Sequence, residues 1–279
     1  MKKIIDFNKL KKFEWYLRNE ERSEATIEKY MRDVRFFAAF AGDAEINKEV
    51  MLEYKAKLLK NYAVSSANSM IAALNTFLRF CGWHELCVKQ FKIQRQIYCP
   101  EEKELTRAEY IRLLDAANKK HNRKLNLIIQ TICGTGIRVS ELKYITVEAV
   151  VKGEADVNCK GKNRRIFIVS ELKKKLIRYI KDNGIKNGAV FVTREGKPVS
   201  RINVWKEMKD LCESANVPRS KVFPHNLRHL FARTFYSIEK DIAKLADILG
   251  HSSINTTRIY IVETGYEHRR KMENMHLII

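Results

Sequence analysis

Six side chains in the second half of this sequence have the types needed to attack a phosphodiester without a metal. Three are cations, two are imidazoles and one is a phenol. Fixed arginines can stabilise the charge that develops on the non-bridging oxygens of a phosphate, and a tyrosine can act as the nucleophile. In chain order, the candidates are Arg138, Lys160, His225, Arg228, His251 and Tyr260.

The first arginine and the central His/Arg pair lie in segments that predict helix starts. Arg138 follows Gly-Thr-Gly at 134–136, which predicts a turn opening a helix and so an arginine near a helix N-terminus, where anions bind. His225 and Arg228 follow Pro224, and their spacing predicts one face of a helix that begins at the proline. Alone, each would more often be an ordinary surface or core residue. Their combination favours a site.

The last two candidates lie around a predicted helix junction. His251 follows Gly250, a predicted helix C-cap, and precedes Ser252 and Ser253, either of which could cap the next helix. Tyr260 is flanked by isoleucines, a pattern typical by default of a packed residue. Because a phenol keeps its proton at neutral pH, a nucleophilic role would require cationic neighbours.

Lys160 lies in the predicted turn of a β-hairpin. Strands at 156–159 and 164–169 flank Lys-Gly-Lys-Asn at 160–163, a sequence that favours a turn. If the turn reaches DNA, the ammonium could donate a proton to the leaving 5′-oxygen. Lys162 is an alternative donor, and a simply solvated lysine is the ordinary interpretation.

Outside the hairpin, the pattern is mainly helical. Apolar residues recur at helical spacing over 7–40, 47–59 and 65–82, which predicts a bundle of roughly four or five helices within 1–92. The stretch 93–104 has no periodicity and contains a proline, so we expect an interdomain linker there.

Residues 105–279 are expected to form a second, mostly helical domain with a C-terminal tail. It opens with a capping box at Thr106–Glu109, and a further helix is predicted over 201–215. The hairpin would be its small antiparallel sheet. The fold expected for the whole chain is therefore mainly α, with an N-terminal helical bundle and a C-terminal mostly helical domain.

The charge of the chain indicates a polyanionic partner. Its formal net charge is +20, and residues 105–279 carry 34 lysines and arginines against 18 carboxylates. A protein this basic commonly binds nucleic acid. The six cysteines lack the spacing of a zinc site, and no apolar run is long enough to span a membrane. We therefore expect no metal, no cofactor and no membrane association.

The candidates lie in four segments: TGIRVSEL at 135–142, NCKGKNRRIFIV at 158–169, HNLRHLFA at 225–232 and LGHSSINTTRIYI at 249–261. These segments resemble the tyrosine recombinase (phage integrase) family, in particular the simple integrases and Xer-like recombinases. In 1–92, the SxxTxxxY pattern from Ser23 and the SSAN sequence at 65–68 resemble the family's SAM-like core-DNA-binding domain. We expect no arm-type DNA-binding domain before residue 7, which makes the integrases that bind distant arm sites a poorer match.

The resemblance implies a role for each candidate. Tyr260 would be the nucleophile that forms a 3′-phosphotyrosyl bond, and the other five candidates would complete the catalytic set. Glu141 would support Arg138. Cys159 stands where the family usually has glycine before the hairpin lysine, which leaves Lys160 and Lys162 both open as the proton donor.

The resemblance also implies partners and a location. Double-stranded DNA would be cleaved and rejoined by a homotetramer through a Holliday junction, without ATP or metal, in the nucleoid region of a cytoplasm. It leaves open whether the free protein is a monomer, whether accessory DNA-binding factors take part, and whether the tail at 263–279 docks on a neighbouring subunit or frays. The alternative functions are a type IB topoisomerase and a non-catalytic DNA-binding regulator.

Overall fold

A computed structural model describes two compact units, Met1–Arg95 and Gln96–Ile279. Helices dominate both units, and a two-stranded antiparallel sheet lies in the second. The mainly helical fold with a small antiparallel sheet is therefore confirmed. The structure describes residues 2–42, 44–93, 104–159, 162–260 and 272–275.

The first unit is a helical bundle around an aromatic core. Its fully buried rings include Phe13, Phe37, Tyr54 and Phe77, and the rings of Phe13 and Phe77 meet edge to face at 5.1 Å. Burial of such rings supplies much of the free energy that holds a small bundle together. The helices are α1 (Phe7–Asn19), α2 (Glu24–Ala41), α3 (Lys48–Asn61) and α4 (Val64–Phe80), followed by a 3₁₀ turn at His84–Leu86.

The second unit is built around α6, which packs against α5, α8 and α10. Its core includes the fully buried Leu113, Ile129, Ile132, Leu176 and Leu227. The elements are α5 (Arg107–Lys119), α6 (Arg123–Thr135), a 3₁₀ helix (Val139–Tyr144), α7 (Val147–Lys152), β1 (Glu154–Cys159), β2 (Lys162–Phe167), α8 (Ser170–Asp182), α9 (Arg201–Lys209), a 3₁₀ turn (Arg219–Lys221), α10 (Pro224–Glu239), α11 (Ile242–Leu249) and α12 (Ile254–Arg258).

The predicted hairpin is present, and its strands pair closer to the turn than the sequence predicted. Glu154 pairs with Phe167 at one end, and Cys159 pairs with Lys162 at the other. Lys162 therefore belongs to β2, although its turn-favouring neighbours predicted a loop, because ladder hydrogen bonds continue up to it. Lys160 lies outside the described residues.

One predicted helix was too long. The helix expected over 201–215 ends at Lys209. Beyond it, the N–H groups of Leu211 and Cys212 donate to carbonyls three residues back, at 3.2 Å each, so the chain continues as tight turns. Leu211, Cys212 and Ala215 are still buried, and this burial produced the helical periodicity in the sequence.

Gly136 ends α6 and sets the path of the chain toward Arg138. Its φ is +65°, in the left-handed region, and a Cβ on it would lie 2.6 Å from two ring carbons of Phe231. Glycine alone satisfies both demands without strain. Gly134, which the sequence placed in a turn, lies in the last turn of α6 instead.

The domain limits at residues 92 and 105 remain predictions. The division into units falls between Arg95 and Gln96, but 94–103 of the expected linker lie outside the described residues. Most of the predicted tail, 261–271 and 276–279, also lies outside them. Within the part of the chain that is described, no helix is both long and apolar enough to cross a bilayer.

Candidate active site

The structure brings all of the described candidates together at one end of α10. Arg138 comes from the turn after α6, His251 from the junction of α11 with α12, and Tyr260 from the residues that follow α12. His225 and Arg228 lie in the first turns of α10, which begins at Pro224 as predicted. Lys160 is the one candidate that the described residues do not include.

Tyr260 lies against the His225 side chain. Its Oη is 3.2 Å from Nε2 of His225. The tyrosine is only 5% exposed and belongs to a small apolar cluster with Ala232, Leu245 and Leu249. The packing expected by default and the contact needed for chemistry are therefore both present in this one side chain.

A third histidine, which the sequence interpretation missed, completes the surroundings of the phenol. The His229 ring lies 4.2 Å from the Tyr260 ring, and the His251 ring lies 5.2 Å from it on the measure of ring centroids. His229 is four residues after His225, so both project from one face of α10. That spacing was visible in the sequence and could have identified it.

Arg228 joins three segments of the site from the inside. It is 1% exposed, and its guanidinium donates to the carbonyl oxygens of Gly136 and Leu249. Nη2 also lies 3.0 Å from Nε2 of His251. Burial, together with the charge of Arg138, lowers the pKa of Arg228 to about 10, which still leaves it charged at neutral pH.

The hydrogen bonds of His251 fix its tautomer. Because arginine can only donate, Nε2 of His251 accepts from Arg228. Nδ1 must then carry the proton, and it donates to Oγ1 of the fully buried Thr257 at 2.8 Å. Burial and the charges of Arg228 and Arg138 lower the pKa of His251 to about 4, so the ring is neutral at pH 7.

Arg138 is held by Glu141 at the start of a short helix. The helix predicted to open here is present as the 3₁₀ helix Val139–Tyr144, and Arg138 is its N-cap. The Arg138 N–H and its Nη1 donate to the two carboxylate oxygens of Glu141, each at 2.9 Å. Burial would raise the pKa of Glu141, but the N–H of Arg138 and the charges of Arg164 and Arg138 hold it below its usual value.

Arg138 lines two open cavities that a phosphate backbone could enter. One has a volume of about 700 Å³, and its lining includes Arg138, Trp205, His225 and Arg228. The other has a volume of about 880 Å³ and is lined by Arg138, Glu141 and His251. Arg138 is 36% exposed, so its guanidinium is accessible from solvent. No cluster of three or more potential metal ligands occurs among the described residues.

The three histidines predict how stability depends on pH. Burial lowers the pKa of His229 to about 4 and, with the charges of Arg228 and Arg138, also lowers that of His225. The unfolded chain, with ordinary histidines, therefore binds more protons than the folded chain between pH 6.5 and 4. We expect the free energy of unfolding to fall as the pH is lowered from 6.5 toward 4, measured by urea unfolding of the protein without DNA.

The matched control for the pH prediction is His251→Gln. This change removes one of the groups with a lowered pKa, so the variant should lose stability less steeply on acidification. If the free energy of unfolding depends on pH with the same slope in the wild type and in His251→Gln, the rings are not desolvated. A wild-type stability that does not change from pH 6.5 to 5 would show the same.

Two family models match the chain, one within each of its two units. The model of the phage integrase family matches residues 103–265. The model described as "Phage integrase, N-terminal SAM-like domain" matches residues 10–85.

Similar proteins extend over almost the whole chain. The tyrosine recombinase XerA of Thermococcus kodakarensis is 31% identical, with 97% of this chain and 95% of that protein covered. A crystal structure of XerA recombinase matches with a TM-score of 0.55 and 26% identity, covering 98% of this chain and 99% of that one. A lambda integrase tetramer bound to a Holliday junction matches with a TM-score of 0.74 and 18% identity, covering 91% of this chain and 76% of that one. At 18% identity, the likeness is one of fold.

Proposed function

The chain belongs to the phage integrase family of tyrosine recombinases, and on that premise we propose that it is a site-specific DNA recombinase, with Tyr260 as its nucleophile. The observation that carries the assignment of the nucleophile is the placement of its Oη 3.2 Å from Nε2 of a neutral histidine, His225. Arg138 and Arg228 lie at the same place and would stabilise the charge of the attacked phosphate.

The cleavage step follows from these contacts. Tyr260 Oη attacks the phosphorus and gives its proton to Nε2 of His225, which can accept it because its lowered pKa keeps the ring neutral. The bond from phosphorus to the 5′-oxygen breaks, and the 3′ end stays esterified to the tyrosine. The leaving 5′-oxygen takes up a proton, which we assign to Lys160, with Lys162 as the alternative donor.

Rejoining reverses the same chemistry on a partner strand. The free 5′-hydroxyl of one duplex attacks the phosphotyrosyl bond of the other, and the tyrosine regains its proton. Two such rounds pass through a Holliday junction. A similar fold in lambda integrase forms a tetramer on a Holliday junction, and we propose that this chain also acts as a homotetramer on double-stranded DNA.

Two further assignments belong to this proposal. Residues 1–92 would be the core-DNA-binding domain and 105–279 the catalytic domain, joined by the linker at 93–104. The enzyme would work at the nucleoid in the cytoplasm, with accessory DNA-binding factors as an open possibility.

The direct test uses a duplex that the protein itself selects from a random-sequence pool. A nick placed near the cleavage position lets the short 5′-hydroxyl fragment diffuse away, so the covalent intermediate accumulates on a denaturing gel. We expect a DNA–protein adduct in the absence of ATP and magnesium. If no adduct forms, the chain is a non-catalytic DNA-binding protein. Relaxation of any supercoiled plasmid without exchange of strands would identify a type IB topoisomerase.

Salt should weaken DNA binding steeply. Residues 105–279 carry 34 basic against 18 acidic side chains, and each phosphate that is neutralised releases counterions. For contacts with six to ten phosphates, we expect affinity to fall on the order of 10³- to 10⁵-fold between 50 and 200 mM salt. Fluorescence anisotropy with the selected duplex measures this dependence, and an affinity independent of salt would contradict the electrostatic account.

A further inference from the structure

A second arginine lies buried behind the site, although no sequence motif assigns it a role. Arg164 projects from β2, and its side chain is 10% exposed. Its Nη2 donates to Oε2 of Glu141, and its Nη1 donates to the carbonyl oxygen of Ile248, 2.8 Å away in the last turn of α11. The side chain therefore joins the hairpin to two other segments of the site.

Glu141 holds both arginines with one carboxylate. Its Oε2 accepts from Arg164 and from the N–H of Arg138, while Oε1 accepts from Nη1 of Arg138. Glu141 is 2% exposed. A buried carboxylate of this kind is stable only when it is paired and hydrogen-bonded, so loss of Arg164 would loosen the group that orients Arg138.

The stem of Arg164 also lies against the chain that leads into His251. Gly250 has φ +65°, and a Cβ on it would lie 2.6 Å from Cδ of Arg164. The backbone just before His251 can pass here because residue 250 has no side chain. The position of Arg164 is thus tied to the path of the His251 segment as well as to Glu141.

We propose that Arg164 is a positioning residue for the cleavage step, acting through Glu141 on Arg138. It would hold β2 against Arg138 and the His251 junction. The inference rests on the proposed function, because it assigns Arg164 to the stabilisation of the attacked phosphate. A displacement of about 1 Å in a catalytic group can cost on the order of 100-fold in rate.

The test compares Arg164→Met with Arg178→Met. Arg178 is an exposed residue of α8, so the control removes the same charge at a position that lines neither cavity. The rate of covalent adduct formation is measured in a single turnover with protein in saturating excess over the nicked duplex. We expect a loss of about 10- to 100-fold in Arg164→Met and less than about 3-fold in Arg178→Met, because an exposed cation contributes little to the chemical step.

A neutral substrate separates positioning from general damage. A methylphosphonate at the cleavage position lacks the negative oxygen that Arg138 would stabilise. A correctly placed Arg138 should therefore accelerate cleavage of this substrate less than it accelerates cleavage of a phosphodiester. If Arg164 positions Arg138, the defect of Arg164→Met should be several-fold smaller on methylphosphonate than on phosphodiester. Equal losses on the two substrates would overturn the inference, and so would a wild-type rate on both.

A double-mutant cycle tests the route through Glu141. If Arg164 acts through that carboxylate, Arg164→Met combined with Glu141→Gln should be no slower than the slower single variant. If the fold reductions in rate of the two single variants multiply in the double variant, the inference is overturned. Should Arg164→Met fail to fold, Arg164→Lys is judged by the same criteria, because it retains the charge but its single ammonium cannot reproduce the two-pronged contact. A wild type that forms no adduct overturns the proposed function, and this inference with it.

Discussion

Tyr260→Phe should abolish formation of the covalent DNA–protein adduct and leave DNA binding close to that of the wild type. The change removes a single oxygen, the one that lies 3.2 Å from Nε2 of His225. Loss of a nucleophile typically costs on the order of 10⁴-fold or more in rate. Loss of its hydrogen bond should cost only about 1 kcal/mol of stability. The nicked-duplex gel measures the rate, and anisotropy measures the affinity.

Tyr236→Phe is the matched control for this substitution. Tyr236 also lies in the second unit, on α10, where its ring lies under the ammonium of Lys240. The control should form the adduct at the wild-type rate. An adduct that persists in Tyr260→Phe would show that another residue attacks the phosphate.

Arg138→Ala should slow cleavage by about 100- to 1000-fold, the usual cost of removing one preorganised donor from a transition state. Its side chain is 36% exposed, lines both cavities and is held by Glu141. The fold should survive, because Glu141 keeps the N–H of residue 138 and the side chain of Arg164 as partners. Single-turnover cleavage at saturating protein separates this effect from weaker binding.

The control for Arg138→Ala is Arg178→Ala, which removes an exposed arginine from α8. It should leave the rate at saturation within about 3-fold of the wild type, because an exposed cation contributes little to the chemical step. If the two variants lose rate equally, Arg138 has no special relation to the phosphate.

Local sequence signals predicted the parts of the site that depend on neighbouring residues. Pro224 with the spacing of His225 and Arg228 gave the start and the face of α10. Gly250 ends α11 in the left-handed region as predicted, and Ser253, one of the two predicted cap residues, caps α12. These features are set by backbone conformation and capping within a few residues.

Contacts between distant segments could not be predicted in the same way. Arg164 and Arg165 are adjacent arginines, so the alternation of a strand gives no indication of which one is buried. The acceptor role of His251 depends on Arg228, which is 23 residues away. The sequence also did not indicate that the helix opening after Arg138 would be a 3₁₀ helix, or that Gly134 would lie in the last turn of α6. Each of these outcomes is decided by packing in three dimensions.

The central claim is that the Tyr260 phenol becomes esterified to a DNA 3′ end, and mapping the adduct tests it most directly. Covalent complexes trapped on the nicked duplex are digested with protease and nuclease, and the modified peptide is sequenced by mass spectrometry. The account predicts a nucleotide joined through its 3′-phosphate to Tyr260. A nucleotide on any other residue, or one joined through a 5′-phosphate, would contradict it.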